Sequence, residues 1–521
     1  DLATVLDGID LSETGLHLRR GLAVPGLYTL LQEYLSDQSL DPADLQGSIA
    51  FDPIAVVASG PSPNVETTVA LADQLTEAVQ ALPHLRSVTV DAGPYHDAGA
   101  SAVQELAATL GALTERLARS TERGRSLPSL LDDLQISVPV STSYFVEIAK
   151  LRALRLLVPQ VAEAFAVETD TEIDFSPSDF QIHAETSRRT ETIYDPHANM
   201  LRATTEAMAA VLGGCDALTV RPYDASLHPP DAFGLRIARN TQLILEHEAH
   251  LDQVADPAAG SYYLETLTDR LAQQAWTHFQ KTEAEGGIIE TLRNGTLQEQ
   301  IAETRASRRE AVDEREHVLV GTTHYPSLDE RRRDDLARSD GSPSSNGTAT
   351  TPLPSHTLDA IQTALRDGTT LPKIISSLQA EPTGIAPLPH IRVAEEIETI
   401  RLRTEAYADS HDGPPQVLLA PLGPPAIRSA RTTFARNFLG VAGFAIEEPL
   451  KFESVEDTAN AAVEHDVEIV VLCSSNAEYA DLAPALSAAL VDRGHNALLG
   501  IAGSPDDIDA DGHADFFVHQ G

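Results

Sequence analysis

The stretch LRSVTVDAGPYHDAGASAVQELAATLGALTERLARS (85–120) decides the fold class of the amino-terminal part of the chain. Its first eight residues, 85–92, form a short run with β-branched side chains between Pro83 and Gly93, which predicts a strand. Residues 99–120 carry apolar side chains at helical spacing, which predicts an amphipathic helix. The stretch therefore predicts one strand followed by one helix.

The same strand–helix pattern repeats on both sides of this stretch. Residues 134–143 and 216–223 predict strands, and residues 144–165 and 231–247 predict helices. Repeated units of this kind, with no glycine-rich phosphate loop between them, indicate an α/β fold of the (β/α) barrel type. We assign this barrel to residues 1–330.

A second alternation occupies residues 415–521. Its apolar runs are QVLLAPL, GFAIEEPL, VEIVVLCSS, NALLGIAG and ADFFVHQ, each separated from the next by a predicted helix. This arrangement predicts a flavodoxin-like, doubly wound sheet. Between the two parts, residues 331–356 are polar and rich in Ser, Pro and Gly, which indicates a linker. With the helical stretches that follow, the linker and bridging region covers residues 331–414.

The charge balance restricts the class of partner. Net charge is −41, from 78 acidic and 37 basic residues, and only four of the basic residues are lysines. Such a surface repels phosphate backbones, so we expect no nucleic-acid partner. An acidic, lysine-poor surface is typical of a halophilic-type protein, in which salt screens the repulsion.

Other bulk features indicate the compartment. No run approaches the roughly 18 uncharged apolar residues of a membrane span, so we expect no membrane partner. The first residues do not form a basic and then apolar signal. Cys215 and Cys473 are far apart in sequence and suggest neither a disulfide framework nor a metal site, which fits a reducing cytoplasm. We therefore predict a cytoplasmic protein.

Polar side chains follow several predicted strands. His96 follows the strand at 85–92, Glu185 follows an apolar run ending at Ile182, and Arg221 begins the loop after 216–220. In a barrel the strand ends surround the active site, so these side chains could act as acid, base or anion ligand. Solvated loop residues and rim ion pairs are the more frequent explanation of such side chains.

Two further patterns carry little chemistry by themselves. His247 and His250 are three residues apart, whereas the zinc-protease motif needs histidines four apart, so a solvated helix face explains them better. Gly500 and Gly503 would allow a ligand to approach the backbone closely, but two glycines do not define a phosphate loop. We predict no metal site.

Two stretches are far more specific. RNTQ (239–242) and DPAAGSYYLETLT (256–268), together with residues 190–220, 145–157 and 320–326, closely resemble the methylmalonyl-CoA mutase family. The resemblance implies a (β/α)8 TIM-type barrel, a linker and a cobalamin-binding domain. Family barrels begin upstream of the part that matches Asp1, so we expect a barrel that lacks some of its first strands.

The catalytic members of that family interconvert methylmalonyl-CoA and succinyl-CoA with adenosylcobalamin, which supplies radical chemistry. Their coenzyme A tail passes through the barrel, and a histidine of a DxHxxG loop binds the cobalt. In this sequence the corresponding loop is VLLAPLGPPAIRSAR (417–431). Pro424, Ala426 and Ser429 then stand in the Asp, His and Gly positions, so no side chain there can ligate cobalt. Other candidate cofactor contacts are Ser474, Gly500 and Gly503.

The resemblance implies that the barrel region also lacks several residues that the catalytic family members use. By the resemblance, Pro94 replaces a catalytic His, with His96 displaced by two residues, and Thr219 replaces another His. The Arg that binds the substrate carboxylate falls near Gly60, and Glu185 stands in place of Gln. The remaining candidates for a substrate pocket are His96, Glu185, Arg221, Arg239, Asn240 and Gln242.

These departures resemble the small, non-catalytic subunit of the heterodimeric mutases. That resemblance implies a chain without catalytic residues, paired with a large subunit that binds adenosylcobalamin and, with it, the acyl-CoA substrate. Two alternatives stay open: an active mutase chain that binds cobalamin without the DxHxxG histidine, and a docking module for a cobalamin-loading partner.

Overall fold

The chain is a mixed α/β protein whose sheets are parallel, as the sequence predicts. The computed structural model describes residues 2–38, 40–332, 336, 353–379, 384–508 and 512–519. Most of the predicted linker at 331–356 lies outside the described residues. None of the helices in the described part of the chain combines the length and the apolar character needed to cross a membrane.

Seven strands form two parallel sheets in the amino-terminal part. Their bounds are β1 Leu16–Arg19, β2 Gly47–Ala50, β3 Leu85–Arg86, β4 Val88–Asp91, β5 Leu134–Val140, β6 Gln181–Thr186 and β7 Ala217–Thr219. The sheets have the orders β1-β2-β3 and β4-β5-β6-β7, so spatial order follows chain order. Only Ser87 separates β3 from β4, and together they are the strand predicted at 85–92. Sequential parallel order is what a barrel requires.

Side chains of β1 and β6 meet, although these strands are not hydrogen-bonded to each other. The ring centroids of His17 and His183 are 4.6 Å apart in an edge-to-face arrangement. The two sheets therefore curve so that their inner faces come together. The described residues contain no backbone pairing between β7 and β1, so complete closure of the barrel stays a prediction.

Helices follow most strands, and their lengths match the predicted helical stretches. Their bounds are α1 Leu2–Val5, α2 Val24–Gln38, α3 Pro53–Ser59, α4 Val65–Val79, α5 Gly93–Asp97, α6 Ala102–Glu122, α7 Leu127–Asp132, α8 Tyr144–Glu168, α9 Ala198–Leu212, α10 Ala232–Leu243, α11 Tyr262–Ala284, α12 Ile288–Asn294, α13 Thr296–Asp313, α14 Leu358–Arg366, α15 Leu371–Leu378, α16 Glu395–Ser410, α17 Pro425–Val441, α18 Val455–Glu464 and α19 Asn476–Asp492. A π-helical turn, Ile244–Glu248, extends α10. Ser101 and Gln104 form a capping box that begins α6.

The main core lies between β4–β6 and helices α6, α8 and α11. In β5, six of the seven residues are buried, because helices or other strands cover both faces of a parallel sheet. Each fully buried aliphatic side chain stabilises the fold by about 1.5–3 kcal/mol relative to exposure. Trp276, the only tryptophan, packs against this core, so its fluorescence reports unfolding of this part of the chain.

The carboxy-terminal part contains one five-stranded parallel sheet. Its strands are β8 Gln416–Pro421, β9 Ala445–Glu447, β10 Ile469–Cys473, β11 Leu498–Ala502 and β12 Phe516–Val518. They lie at the five predicted apolar runs, in the order β9-β8-β10-β11-β12. Separate apolar clusters cover the two faces of this sheet. Strand β8 lies inside the sheet, between β9 and β10.

Candidate functional site

A polar cavity of about 750 Å³ lies at the carboxyl ends of the amino-terminal strands. Each of β1, β2, β4, β5, β6 and β7 contributes side chains at or just beyond its last residues; examples are Arg19, Asp52, Gly93, Pro94, Pro139, Glu185, Thr219 and Arg221. Carboxyl ends of parallel strands meet at one edge of a sheet, which is where barrel proteins place their sites. This cavity is therefore the candidate site of the amino-terminal part.

Ion pairs connect the strands across this cavity. Arg19 Nη1 of β1 lies 3.0 Å from Glu185 Oε2 of β6. Glu185 Oε1 also lies 3.6 Å from Arg221 Nη1, and Arg221 Nε donates to Glu191 Oε1 at 2.7 Å. Because Arg19 and Arg221 are already paired within the protein, an anion that binds either of them would have to compete with Glu185 or Glu191.

Two histidines lie at the level of the cavity and do not carry charge. His17 Nδ1 is hydrogen-bonded to Ser48 Oγ at 2.8 Å, and His183 Nε2 to Thr219 Oγ1 at 2.8 Å. Burial, and then the nearby Arg19, lower the pKa of both rings, that of His183 to about 3. Both rings are therefore neutral at physiological pH, and they fill the space between β1 and β6.

The buried carboxyl group of Asp52 connects the end of β2 with β4. Asp52 Oδ1 accepts a hydrogen bond from Ile54 N, which caps α3, and its Oδ2 accepts one from Asp91 N at 2.7 Å. Burial raises the pKa of Asp52 to about 7, against the hydrogen bonds from these backbone groups. Burial likewise raises the pKa of Asp91, and Arg19 opposes the rise. Asp52 thus titrates close to neutral pH.

A buried ionic network lies beneath the cavity. Lys150 Nζ lies 2.8 Å from Glu105 Oε1, 2.6 Å from Glu147 Oε2 and 2.7 Å from the Pro139 carbonyl oxygen. His96 contacts the other Glu105 oxygen at 3.1 Å through Nδ1. Burial alone would raise the pKa of Glu105, but Lys150 and His96 lower it. The network fixes α5, α6 and α8 against one another directly behind the strand ends.

The structure brings some of the predicted site residues together and separates others. Glu185 and Arg221 both line the cavity. His96 is 3% exposed and lies beneath it, with its Nε2 atom 2.8 Å from Ser187 Oγ. The remaining predicted residues, Arg239, Asn240 and Gln242, lie on α10 and are not among the residues that line the cavity. Their assignment to a substrate pocket stays a prediction.

Four positions at which the resemblance predicts a departure from the catalytic family members lie around the same cavity. Gly60, Pro94, Glu185 and Thr219 come from four different segments, and all four line it. The resemblance placed each of them separately, by ungapped counting from a matching stretch. Neighbouring residues of the same loops, such as Pro61, Gly93 and Thr186, line the cavity as well, so the pairing of individual positions with family residues stays a prediction.

Sequence reasoning missed several cavity residues. Arg19, His17 and Asp52 lie in or next to short strands that the apolar pattern did not reveal. Asp91 lies inside the predicted strand at 85–92, and its position at the carboxyl end was the available signal. Lys150 lies inside an amphipathic helix, where one basic residue resembles an ordinary exposed one.

The second candidate region is the loop after β8. Strand β8 ends at Pro421, and Pro424 is the residue before α17, with no side-chain hydrogen bond to the helix amino terminus. Pro424, Ala426 and Ser429 are all exposed. A pyrrolidine ring and a methyl group offer no lone pair to a metal, and a hydroxyl is a poor ligand for cobalt. This loop does not fit a histidine-ligated cobalamin.

The remaining loop candidates make contacts within the protein. Ser474 is buried, and its Oγ atom donates to Glu478 Oε2 at 2.7 Å. A Cβ atom on Gly423 would lie 2.6 Å from Ser474 Oγ and 2.3 Å from the Glu478 carboxylate. The loop after β8 therefore packs directly on the first turn of α19, and Ser474 serves that packing.

The two glycines of β11 and its loop are also explained by close packing. A Cβ atom on Gly500 would lie 2.4 Å from the ring of Phe516, and one on Gly503 would lie 2.4 Å from the Ile508 side chain. Side chains of the chain itself therefore occupy the space that the glycines leave. A role for either residue in cofactor binding stays a prediction.

We expect Gly500→Ala to destabilise the carboxy-terminal sheet by about 1–3 kcal/mol, the usual cost of overpacking. The added methyl group meets the Phe516 ring, which is held by the pairing of β12 with β11. Amide hydrogen exchange of 498–502 measures the effect. Gly500→Ala combined with Phe516→Leu should be more protected than Gly500→Ala alone, and equal exchange in the two variants would contradict the packing explanation.

The described residues contain no group of three or more His, Cys, Asp or Glu side chains arranged to hold a metal ion. The absence of a metal site stays a prediction. His465 and His495 of the carboxy-terminal part are engaged elsewhere, with Glu447 Oε1 and the Val467 carbonyl oxygen.

These features define a class: a parallel α/β protein with a ligand-sized polar cavity at its strand ends and a second, five-stranded unit. The model of one family, described as methylmalonyl-CoA mutase, matches residues 1–379. The chain belongs to the methylmalonyl-CoA mutase family, as its resemblance predicts.

Individual relatives extend the match into the carboxy-terminal part. The methylmalonyl-CoA mutase small subunit of Porphyromonas gingivalis is 31% identical over 98% of this chain and 76% of its own length. The small subunit of Streptomyces virginiae is 34% identical over 95% of this chain and 72% of its own. A methylmalonyl-CoA mutase of Rhizobium meliloti is 27% identical over 96% of this chain and 75% of its own length.

Proposed function

We propose that this chain is the small, structural subunit of an adenosylcobalamin-dependent methylmalonyl-CoA mutase. The complex would interconvert methylmalonyl-CoA and succinyl-CoA, and a homologous large subunit would hold the cofactor and the reacting substrate. The chain would act in propionate metabolism in the cytoplasm. Relatives named as small subunits, at 31–34% identity, support this proposal.

The observation that carries the proposal is the convergence of the altered positions on one cavity. Gly60, Pro94, Glu185 and Thr219 all line it. None of these four side chains is cationic or an imidazole, so none can bind a carboxylate by charge or hold a proton near neutral pH as histidine does. The chain therefore has a ligand-sized cavity, but the side chains at these four positions are unsuited to the mutase reaction.

The ion pair between Arg19 and Glu185 supports the same proposal. It joins β1 to β6 across the cavity at 3.0 Å, directly above the contact between the His17 and His183 rings. A pantetheine chain passing along the axis of a barrel would have to separate these groups. We therefore propose that no acyl-CoA passes through this chain.

We further propose the architecture that the resemblance implies. Residues 1–330 would form a TIM-type barrel and residues 415–521 a flavodoxin-like domain, with 331–414 as linker and bridging region. The sequential parallel order of β1–β7 supports the barrel. The order β9-β8-β10-β11-β12 equals the 2-1-3-4-5 order of flavodoxin-like sheets.

Reconstitution with a large subunit tests the proposal. We expect the purified chain alone to show no turnover of methylmalonyl-CoA with adenosylcobalamin, and the mixture to form a complex of one copy each with full turnover. A large interface between homologous chains should be visible by light scattering. The matched control is the complex carrying Glu185→Gln and Arg221→Met in this chain, whose turnover should be unchanged.

Two outcomes would contradict the proposal. Turnover by the chain alone would indicate an active mutase, and loss of turnover in the Glu185→Gln, Arg221→Met complex would indicate that the cavity of this chain takes part in the reaction. Cofactor transfer to the large subunit that depends on residues 415–521 alone would instead favour a docking module.

A further inference from the structure

A second, mostly apolar cavity of about 930 Å³ has lining residues different from those of the strand-end cavity. It lies where the end of α13, helix α16 and the end of α17 meet. Its apolar walls are formed by Ile391, Ile397, Ile400, Phe438, Val441 and Phe444. The volume is typical of a site for a small molecule, and such sites are frequent between structural units.

One charged side chain of this cavity is buried without a partner. Arg315 lines the cavity and is 7% exposed. Its Nε and Nη1 atoms are buried and have no hydrogen-bond partner, and no carboxylate forms an ion pair with it among the described residues. Burial lowers the pKa of Arg315, but a guanidinium stays protonated at neutral pH. A buried cation that lacks a counter-ion is costly unless a ligand supplies one.

The end of α13 and two aromatic rings orient the Arg315 side chain. Its φ is +60°, in the left-handed region just after α13, where glycine or asparagine is the usual residue. Its guanidinium lies over the rings of Phe434 and Phe438, with distances of 5.7 and 5.4 Å to the ring centroids. Stacking of this kind covers a face of the planar guanidinium. Its N–H groups, which lie in that plane, can still donate hydrogen bonds to an acceptor at the edge.

The other charges around the cavity do not neutralise Arg315. Asp313 lies 3.5 Å from Arg309 Nε, and Glu396 pairs with the same guanidinium. Glu395 accepts a hydrogen bond from Arg392 N. Arg403, at the exposed rim, has no ion-pair partner among the described residues and adds a second positive charge. An anionic group inside the cavity would thus meet the Arg315 guanidinium, with Arg403 and Glu395 as two opposite charges that have no ion-pair partner among the described residues.

We propose that this cavity binds a small carboxylate with an apolar body, such as a medium-chain fatty acid. The carboxylate would accept hydrogen bonds from Arg315, whose planar edge matches two carboxylate oxygens. The apolar body would lie against Ile400, Phe438 and Phe444. This inference does not depend on the proposed function, because the cavity is distinct from the strand-end site.

Calorimetric titration of the full chain with octanoate tests the inference, with 1-octanol as the uncharged probe of the same length. We expect octanoate to bind and octanol to bind at least about tenfold more weakly, the ratio that a charge-assisted hydrogen bond supports. Arg315→Met should weaken octanoate binding by a similar factor and leave octanol unaffected. Arg403→Met, at the rim, is the matched control and should change the affinity by about twofold or less.

Val441→Trp, which fills the cavity without touching the charge, should abolish binding of both probes. If Arg315→Met does not fold, as Trp276 fluorescence would show, the comparison of octanoate with octanol and the Val441→Trp variant still decide the question. No binding of octanoate, equal affinity for octanol, or binding that survives both Arg315→Met and Val441→Trp would overturn the inference.

Discussion

Replacing Lys150 by methionine is expected to destabilise the amino-terminal part of the chain by about 3–5 kcal/mol, the cost of leaving buried charges without their partner. Lys150 is 1% exposed and contacts both Glu105 and Glu147. Methionine fills a similar volume but offers no proton, so two buried carboxylates would lose their counter-ion. Urea unfolding followed by Trp276 fluorescence measures the change.

The matched control is Lys281→Met, which removes an exposed lysine of α11 that lies 3.8 Å from Glu285. That variant should change stability by about 0.5 kcal/mol or less. Adding Glu147→Gln to Lys150→Met should restore part of the loss, because it removes one unpaired charge. A loss below about 1 kcal/mol for Lys150→Met would mean that water reaches these carboxylates, contrary to their burial.

Asp52→Asn is expected to change the pH dependence of stability by about 2–4 kcal/mol between pH 4 and pH 8. Burial raises the pKa of Asp52 in the folded chain to about 7, whereas an unfolded aspartate titrates near pH 3.9. Between these values the folded state holds a proton that the unfolded state has released. The wild-type chain therefore loses stability as pH rises from about 4 to about 7, and the asparagine variant lacks this contribution.

The measurement is the difference in unfolding free energy between wild type and Asp52→Asn across this pH range. We expect the difference to shift in favour of the variant from pH 4 to 7 and to level off above. The substitution also alters the hydrogen bonds to Ile54 N and Asp91 N, which adds a pH-independent difference in unfolding free energy. Only the change of this difference with pH therefore reports the ionisation of Asp52. Parallel curves for the two proteins would show that Asp52 ionises normally.

Long periodic segments were predictable from the sequence because one physical pattern dominates them. Helices α6 and α8 and strand β5 carry apolar side chains at a clear period and begin at recognisable boundaries. Strands β1 and β2 were not assigned, since each has only four residues and their burial depends on partners distant in sequence. Tertiary contacts, such as Leu16–Gly47 pairing, define these strands.

The candidate site was predictable only in part, for the same reason. Glu185 and Arg221 follow assigned strands and were therefore expected at the strand ends. Asp52 and Arg19 follow strands that the pattern did not reveal, so their part in the cavity emerged only from the fold. Arg315 gave no sequence signal at all, because burial without a partner is a property of the packed molecule and not of the residue type.

The loop at 417–431, which the resemblance places at the cobalt-ligand position, bears on the cofactor part of the proposed function. In the family, a histidine on this loop would anchor the cofactor; here the loop after β8 presents Pro424 and Ala426, both exposed. Its close packing on Ser474 and Glu478 gives it a structural role in holding the edge of the sheet. The proposed absence of a ligating side chain is therefore compatible with an intact parallel sheet and loop.

Titration of the purified chain with adenosylcobalamin, followed by visible absorbance, tests this account most directly. The account predicts no change to the spectrum of a histidine-ligated cobalt with the chain alone, and such a change once a large subunit is added. A histidine-ligated spectrum with this chain alone would contradict it, because the loop at 417–431 would then not be the place at which cobalt ligation was lost.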